Sequence, residues 1–359
     1  MSLKSYPVVE LLGDGIGPEL SEAVHFLSDK ALPFRIEWRP IDLSVASRDH
    51  RGTKLYDEAV KAITETGAAL KHPTATVKES PNAVLRRALD LQVIHRPVST
   101  IPGIPTNFNG RIDLDIVRIA TGGTYDDPGR LIGTEAAVSL RIIEKEPCRQ
   151  AAIYAFELAK KLKKSVTSSS KHTVQRATDG LFEAIVKEVS RSYPKVPHKV
   201  ELFDALLAKI VMKPGNFDVV LVLNEYGDFL SDMACGLVGS LGIGASGNYG
   251  FDSTRKVRVG LFDAAHGTAP DIAGQRKANP TAIYLAFSLL LYHLGEIRAA
   301  SAVKNAVLQL LDDGKCTPDV GGRLTMMEFV HQVAVRAKDL IDNEAWTSRT
   351  IQLHRDDLK

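Results

Sequence analysis

Cysteine is scarce in this sequence, and neither sign of charge dominates it. Its three cysteines (Cys148, Cys235 and Cys316) are far apart and form no C-x-x-C pair, so neither a disulfide framework nor a zinc knuckle is expected. We therefore expect a reducing compartment, most simply the cytoplasm. The 45 lysines and arginines nearly balance the 43 acidic residues, which argues against a nucleic-acid partner that is bound by neutralising its phosphates.

Long apolar segments are also missing. The longest candidate, Ala282 to Leu294, is shorter than the ~20 residues that a membrane helix needs, and polar residues interrupt it. The N-terminal region lacks the basic start and apolar stretch of a secretion signal, so we predict no membrane partner. A chain of 359 residues with 44% hydrophobic residues is long enough for about two globular domains.

Short β-branched runs alternate with helical periods along the chain. Apolar runs predict strands at residues 7–12, 34–39, 67–71, 112–119, 166–169 and 217–223. Helical spacing predicts helices that begin near residues 18 and 55, and others at 147–164, 178–191, 280–294 and 326–341. Strands separated by helices predict an α/β fold with a mostly parallel sheet.

A glycine-rich turn, Gly13-Asp14-Gly15-Ile16-Gly17, follows the first predicted strand. It is similar to a dinucleotide fingerprint, but Pro18 occupies a position where that fingerprint needs glycine. The alternative interpretation is a tight turn followed by proline at the first helical position, which is a normal helix start.

The segment from Asn224 to Asp232 follows the clearest predicted strand. Asp228 and Asp232 are four residues apart, so a helix beginning there places both carboxylates on one face. Ligands bind at the carboxyl ends of such strands, and paired carboxylates suit Mg²⁺ or Mn²⁺. The alternative is that the aspartates cap the helix and compensate its dipole.

A third segment, His266 to Gly274 followed by Asn279, combines glycines with small side chains that let the backbone approach a ligand closely. Asp271 could accept hydrogen bonds from an adenosine ribose. The alternative is an irregular loop that leads into the helix at Pro280, although loops of this length are more often functional.

Basic residues form the fourth group: Arg86, Arg87, Arg96, Arg118 and Lys171. Guanidinium groups bind carboxylates with two hydrogen bonds, so convergent arginines indicate a polycarboxylate substrate. Taken singly, each of these residues is more typical of a solvated surface charge than of a ligand.

Together, these segments resemble the β-decarboxylating dehydrogenases, the family of isocitrate, homoisocitrate, 3-isopropylmalate and tartrate dehydrogenases. The resemblance runs from Gly13 to Thr281. It implies a two-domain α/β fold that is not a Rossmann fold, with a larger cofactor-side domain of residues 1–91 and 239–359. Residues 92–238 would form a smaller domain with dimer contacts, in an obligate homodimer whose active sites are shared between subunits.

The resemblance also implies a role for each matching residue. Asp204, Asp228 and Asp232 would hold Mg²⁺ or Mn²⁺, with at least one of them supplied by the partner subunit. Lys171, also offered across the dimer, would remove the proton of the substrate's C2 hydroxyl, and Tyr125 would protonate the enolate after carbon dioxide departs. The malate moiety would be held by Arg86, Arg96 and Arg118.

The same resemblance implies NAD as the cofactor. The residues expected to line its adenosine half are His266, Gly267, Thr268, Ala269, Asp271, Ile272 and Asn279. NADP-using members tend to carry Lys-Tyr where this chain has Asp271-Ile272. A carboxylate there would repel a 2′-phosphate, which favours NAD.

The residues that would meet the C3 substituent resemble the isocitrate type. Ser80 and Asn82 match positions that meet a distal carboxylate, and Lys78 adds a positive charge, although it is equally compatible with a solvated loop. We therefore expect an acidic distal group, as in isocitrate or homoisocitrate, or a phosphonate in its place. A 3-isopropylmalate-, tartrate- or malate-type substrate is the alternative.

Two stretches depart from the family pattern. Isocitrate enzymes usually read Arg-Glu-Asn-Thr-Glu-Asp where this chain has Arg118-Ile119-Ala120-Thr121-Gly122-Gly123, and Ala-Asn where it has His172-Thr173. These changes indicate either an unusual substrate or a weakened enzyme. The competing hypothesis is a catalytically silent regulatory subunit of a heteromeric isocitrate dehydrogenase. The retained tyrosine, lysine and three aspartates argue for an active enzyme, because a silent subunit needs none of them.

Overall fold

The computed structural model describes residues 4–77, 79–101, 103–240 and 244–343, which fall into two compact units. The first unit takes in the described residues of Met1–Asp90, Ile101–Asn107 and Val238–Leu358, and the second those of Leu91–Thr100 and Phe108–Leu237. These units differ from the domains predicted from the resemblance mainly in the segment Ile101–Asn107. The assignment of one domain to the cofactor and the other to dimer contacts stays a prediction.

The strands and helices alternate through most of the chain. The strands are β1 (Ser5–Leu12), β2 (Arg35–Asp42), β3 (Ala68–Lys71), β4 (Leu91–Ser99), β5 (Asp113–Ile119), β6 (Arg130–Ile132), β7 (Ala136–Val138), β8 (Val166–Ser170), β9 (His198–Leu202), β10 (Val219–Val222), β11 (Ala245–Phe251) and β12 (Val257–Ala264). The helices are α1 (Gly17–Ala31), α2 (Val45–Arg51), α3 (Thr53–Thr66), α4 (Pro81–Ala88), α5 (Lys145–Leu162), α6 (Thr178–Ser190), α7 (Phe203–Met212), α8 (Asn224–Leu237), α9 (Thr281–His293), α10 (Ile297–Asp312) and α11 (Met326–Asp342).

The strands of the first unit have the order β2-β1-β3-β12-β11. The first four run parallel to one another, and β11 pairs with β12 in the antiparallel sense. Helix α9 packs on this sheet with Tyr284 and Phe287 fully buried. The glycine-rich turn leads directly into α1, where Pro18 lies at the start of the helix. The structure thus agrees with the interpretation of this segment as a helix start.

The strands of the second unit have the order β4-β5-β10-β8-β9. Strand β4 is antiparallel to β5, and the others run parallel. All four residues of β10 are fully buried, which is why this strand has the most continuous apolar sequence in the chain. Parallel pairing of β10 with β5 places Val222 beside Arg118, so α8 begins next to the end of β5. A separate small hairpin pairs β6 with β7.

The predicted α/β class with mostly parallel strands is confirmed. The six predicted strands and six predicted helices are present with shifts of a few residues, whereas β4, β6, β7, β9, β11, β12 and several helices were not predicted. Within the described ranges, no helix is both long and apolar enough to cross a bilayer.

Candidate active site

Two aspartates on α8 face a single arginine of β4. Nη1 of Arg96 lies 3.8 Å from Oδ1 of Asp228 and 3.6 Å from Oδ1 of Asp232. The same nitrogen donates a hydrogen bond of 2.5 Å to the hydroxyl of Ser231. One guanidinium therefore neutralises charge on both carboxylates, which lie one helical turn apart on the same side of α8.

Arg118, at the end of β5, holds the first of these aspartates more tightly. Its buried guanidinium donates from Nη1 to Asp228 and, from Nε at 3.0 Å and Nη2 at 2.8 Å, to Oδ1 of Asn224. Gly227 makes this approach possible, because a Cβ there would lie 2.6 Å from the Cβ of Arg118. The glycine in Asn-Glu-Tyr-Gly-Asp is thus a packing requirement of the ion pair.

The two aspartates differ in acidity. Burial alone would raise the pKa of Asp228, but Arg118 and Arg96 outweigh it, so the pKa of this carboxyl is lowered. Burial, helped by the nearby Asp228, raises the pKa of Asp232, and Arg96 opposes the shift. Asp228 is therefore the more firmly ionised of the two at neutral pH.

Tyr125 lies in the loop after β5 and belongs to the same cluster. Its hydroxyl donates to Oδ2 of Asp228 at 3.2 Å, and the guanidinium carbon of Arg118 lies 5.9 Å from its ring centroid. Burial, together with the carboxylate of Asp228, raises the pKa of Tyr125. The phenol thus stays protonated at neutral pH, as a proton donor must, and about half of its surface is exposed.

Lys171 and Asp204 form a separate pair. Nζ of Lys171, which directly follows β8, donates to Oδ1 of Asp204 in the first turn of α7 at 2.9 Å. This hydrogen bond lowers the pKa of Asp204. Within one chain, Lys171, the predicted base, is therefore paired with Asp204, the third predicted metal ligand.

No group of three or more His, Cys, Asp or Glu side chains within the described ranges could hold a metal ion. A single chain thus does not bring Asp204 to Asp228 and Asp232. The α8 carboxylates are nevertheless the hard oxygen donors that Mg²⁺ and Mn²⁺ prefer, so Asp228 and Asp232 are ligands of the right chemical type for these ions. That Asp204 of a partner subunit completes it stays a prediction.

The predicted substrate residues of the first unit lie on α4 or immediately before it. Ser80 precedes the helix without capping it through its side chain, and Asn82 and Arg86 follow four residues apart on the helix. The side-chain oxygen Oδ1 of Asn82 is buried and accepts no hydrogen bond from the described residues. Nε of Arg86 donates to Oδ1 of Asn248 at 3.0 Å. Lys78 lies outside the described residues.

Lys71 is a candidate functional residue that was not predicted from the sequence. It is the last residue of β3, is almost completely buried, and donates from Nζ to the carbonyl of His72 at 3.0 Å. Burial lowers the pKa of its ammonium to about 8; the neighbouring Arg86 and Arg48 add to the shift, and Asp263 opposes it. A lysine at the end of an otherwise apolar strand was the sequence signal that could have identified it.

The predicted cofactor loop lies beside the glycine-rich turn of the first unit. The amide of Ile16 donates to the carbonyl of Thr268 at 3.0 Å, and a Cβ on Gly15, whose φ is +59°, would lie 2.0 Å from that carbonyl oxygen. The turn therefore supports the loop through close backbone contact.

The loop itself carries an orphaned polar atom. Nδ1 of His266 lies 3.0 Å from the carbonyl of Gly267, whereas its buried Nε2 has no hydrogen-bond partner in the described part of the chain. Burial lowers the pKa of His266, so the ring is neutral at pH 7 and suits an uncharged adenosine. Asp271 is exposed, and Asn279 bonds to Asp319 at 2.9 Å. These features fit the adenosine half of a dinucleotide.

Comparison with known proteins identifies the class. Residues 7–337 match the family model described as isocitrate/isopropylmalate dehydrogenase, and the chain belongs to this family. A mitochondrial regulatory subunit of NAD isocitrate dehydrogenase from Dictyostelium discoideum is 35% identical over 345 residues, which cover 94% of each chain. The 3-isopropylmalate dehydrogenase of Archaeoglobus fulgidus is 36% identical over 329 residues, covering 91% of this chain and 98% of that one.

The fold agrees with the sequence comparison. The crystal structure of isocitrate dehydrogenase from Methylococcus capsulatus matches with a TM-score of 0.85 and 30% identity, covering 93% of this chain and 99% of that one. The predicted family and its fold are therefore confirmed, and the chain belongs to a family of NAD-linked oxidoreductases of the isocitrate/isopropylmalate type.

Proposed function

We propose that the protein is a divalent-metal-dependent, NAD-linked oxidative decarboxylase of a 2-hydroxy-3-carboxy acid with an acidic distal group. The observation that carries the proposal is the cluster in which Arg96 and Arg118 hold Asp228, with Asp232 and the Tyr125 hydroxyl beside it. It combines two cation-binding carboxylates, two carboxylate-binding guanidinium groups and a protonated acid, which are the groups that this reaction requires.

The charges of the cluster explain how it would accept its ligands. In the isolated chain, the two arginines are neutralised by the two aspartates. A divalent cation on the aspartates would free the guanidinium groups to bind the carboxylates of the substrate. A metal held by these aspartates would polarise the substrate's oxygens and stabilise the charge that develops there, and NAD would be the hydride acceptor.

The chain's own residues move the protons. Lys171 would take the proton of the C2 hydroxyl, directly or through water or Asp204, with which its ammonium group is paired. The Tyr125 hydroxyl would return a proton to carbon after decarboxylation.

The acidic distal group is supported by basic residues in the first unit. Lys71 and Arg86 are close enough for the charge of Arg86 to lower the pKa of Lys71, and the predicted Ser80 and Asn82 lie on the same stretch of chain as Arg86. With Arg86 assigned to the malate moiety, Lys71 supplies the additional positive charge that favours a distal carboxylate, as in isocitrate or homoisocitrate, or a phosphonate. A 3-isopropylmalate-, tartrate- or malate-type acid is the alternative, and a relative is named for 3-isopropylmalate.

A homodimer is supported by exposed apolar side chains in the second unit. Leu131 and Ile132 of the β6–β7 hairpin are 76% and 58% exposed, and Met212 at the end of α7 is 73% exposed. Apolar surface of this kind marks sites of association. The partner would receive Lys171 and Asp204 at its own metal site. The three buried free cysteines support a reducing compartment, for which we propose the cytoplasm.

A silent regulatory subunit is the second candidate. It is favoured by a relative named as a regulatory subunit and by the departures at Ile119, His172 and Thr173. The distinguishing experiment follows NADH absorbance with Mn²⁺ and a panel of 3-substituted malates. Turnover of any member by the protein alone supports the enzyme. A protein that turns over none, but raises the activity of an added catalytic isocitrate dehydrogenase subunit, is regulatory.

A further inference from the structure

A buried acidic residue, Asp179, fixes the backbone of Lys171. Asp179 lies in the first turn of α6 and is fully buried. Its Oδ2 accepts the amide proton of Lys171 at 2.7 Å and the hydroxyl proton of Tyr226 at 3.1 Å. The carbonyl of Lys171 in turn accepts the amides of Val174 and Gln175 at 2.9 and 2.8 Å. Both backbone polar groups of the lysine are therefore held.

Arg141 links this carboxylate to the helix that carries the predicted metal ligands. Its Nη1 donates to Oδ1 of Asp179, and its Nε donates to Oε1 of Glu225 at 2.6 Å. Glu225 lies in the first turn of α8, three residues before Asp228. The guanidinium thus bridges α6 and α8 through two buried carboxylates, a geometry that the planar fork of arginine allows and a lysine would not reproduce.

Tyr226 contacts the residues that support both ends of Lys171. Its hydroxyl bonds Asp179, while its ring stacks on Phe203 with centroids 4.5 Å apart. Phe203 precedes Asp204, whose carboxylate accepts the bond from the Lys171 ammonium at 2.9 Å. The lysine is therefore held at its amide by one acid and at its ammonium by another, and one tyrosine braces both supports.

We propose that Asp179 is a positioning residue for Lys171, and that Arg141 makes this positioning depend on α8. The inference rests on the proposed function, in which Lys171 removes the hydroxyl proton. In the proposed dimer, α8 would bind metal for its own active site while Lys171 serves the partner's. The Asp179–Arg141–Glu225 bridge would therefore connect the two active sites mechanically.

The charge balance of the bridge shows which variant tests it. Two carboxylates share one guanidinium, and both Nη2 of Arg141 and Oε2 of Glu225 are buried without a hydrogen-bond partner among the described residues. Asp179→Asn leaves one buried carboxylate with one guanidinium, so the pair stays balanced. Tyr226→Phe removes a single hydroxyl and keeps the ring on Phe203. Glu188→Gln on the same helix, whose carboxylate is exposed and pairs with Arg149 at 2.8 Å, is the matched control.

The first measurement is steady-state kinetics with the acid that the wild type turns over fastest. Because misplacement of a catalytic group by about 1 Å lowers the rate by up to about a hundredfold, Asp179→Asn is expected to lower kcat about ten- to hundredfold. The KM values for the acid and for NAD should stay within about twofold, since the binding groups are elsewhere. Tyr226→Phe should show a smaller fall in kcat, and Glu188→Gln none.

The second measurement does not depend on turnover. Acetylation of Lys171 by acetic anhydride is followed by mass spectrometry, with Lys209, which pairs with Glu201 at 2.6 Å, as the internal reference. Loosening of the Lys171–Asp204 pair should speed acetylation of Lys171 about threefold or more in Asp179→Asn and leave Lys209 unchanged. A general loss of structure would speed both lysines.

The outcomes separate the two proposals. Unchanged kcat and unchanged Lys171 acetylation in a folded Asp179→Asn protein overturn the positioning role, as does equal acceleration at Lys171 and Lys209. If Asp179→Asn does not fold, the same two readouts are taken on Tyr226→Phe, and no change in either contradicts the proposal. A wild type without turnover on any acid refutes the proposed function and leaves the acetylation test in force.

Discussion

Arg118 and Asp228 form an ion pair that joins the end of β5 to the first turns of α8. The guanidinium is 3% exposed, and it is fixed from its other side by Asn224. Because Arg118 is a predicted substrate residue and Asp228 a predicted metal ligand, we expect the metal and the substrate together to replace this ion pair, the metal binding Asp228 and the substrate binding Arg118.

Replacement of Asp228 tests the metal assignment. Asp228→Asn is expected to lower kcat/KM at least about a hundredfold, because a metal ion contributes several kcal/mol to stabilising developing charge. Mn²⁺ should raise the melting temperature of the wild type and leave that of the variant unchanged, which a thermal shift series measures. The exposed Asp57→Asn on α3 is the control. Full activity and an undiminished Mn²⁺ response in Asp228→Asn would exclude this aspartate as a ligand.

Tyr125 is expected to act as an acid throughout the neutral range. Since burial and Asp228 raise its pKa, the phenol stays protonated and its ionisation should not appear in the rate profile below its usual pKa of about 10. Tyr125→Phe should lower kcat about 10²- to 10⁴-fold without adding a new limb to the pH profile. Rates of NADH formation from pH 6 to 9 provide the measurement, and a variant as fast as the wild type would rule out this role.

The cofactor preference follows from Asp271. The exposed carboxylate is expected to repel the 2′-phosphate of NADP, so kcat/KM for NAD should exceed that for NADP. Asp271→Asn should reduce the ratio of kcat/KM for NAD to kcat/KM for NADP, mainly by lowering the KM for NADP. Initial rates with both cofactors check this expectation, and a wild type that prefers NADP contradicts it.

The glycine-rich turn gives a steric test of the cofactor loop. Gly15→Ala would force a methyl group against the Thr268 carbonyl, so we expect a higher KM for NAD as well as lower stability. Gly52, whose φ is +56°, has no atom within 4 Å of an added Cβ, and Gly52→Ala therefore reports backbone strain alone. An equal effect of both variants on the KM for NAD would show that the Thr268 contact is irrelevant to the cofactor.

A buried acid of the first unit sets the pH dependence of stability. Glu10 is 1% exposed; burial would raise its pKa, but hydrogen bonds from His25, His72 and Ser21 outweigh it and hold the pKa far below the usual range. A lowered carboxyl pKa gives stability that is present above the unfolded value of about 4.3 and is lost as the pH falls below it. Stability should therefore decline steeply in acid.

The variant Glu10→Gln isolates this effect. It should lower the free energy of unfolding at pH 7 by about 1–3 kcal/mol and flatten the decline below pH 4.3, because the ionised form no longer contributes. Urea unfolding at several pH values provides the measurement, with the exposed Glu37→Gln as control. If the free energy of unfolding falls as steeply below pH 4.3 in Glu10→Gln as in the wild type, groups other than Glu10 cause the decline.

His25 acts in the opposite direction. Its hydrogen bond to Glu10 raises its pKa, although burial opposes the shift. The resulting stability is complete below the unfolded value of about 6.5 and is lost as the pH rises through the folded value.

Part of the fold could be predicted because local sequence determined it. The run Val219–Val222 is apolar because both faces of β10 are covered, and short β-branched runs of this kind are typical of buried strands. Strand β11 has the sequence Ala-Ser-Gly-Asn-Tyr-Gly-Phe, whose glycines and asparagine are poor strand formers, and it is a strand because its neighbours cover it. Neighbours of that kind are set by strand order, which local sequence does not contain.

In the candidate site, too, some features follow from local sequence and others only from the fold. The four-residue spacing of Asp228 and Asp232 predicts their shared helix face directly. Their pairing with Arg96, which is more than 130 residues earlier in the chain, depends on the placement of β4 beside β5 and could not be predicted. The roles of Asp179 and Arg141 could not be predicted from the sequence, because no motif or spacing marks them. Their roles follow from contacts that only the fold creates, between Asp179 and Arg141 and between Asp179 and Lys171.

The most direct test of the central claim measures NADH and carbon dioxide together with Mn²⁺, NAD and a panel of acids. The panel holds isocitrate, homoisocitrate, 3-isopropylmalate, tartrate, malate and a phosphonate analogue of isocitrate. We expect equal amounts of NADH and carbon dioxide, formed fastest from an acid with a charged C3 substituent and abolished by chelation of the metal. A protein that produces neither from any member, or that works equally well in chelator, would contradict the account.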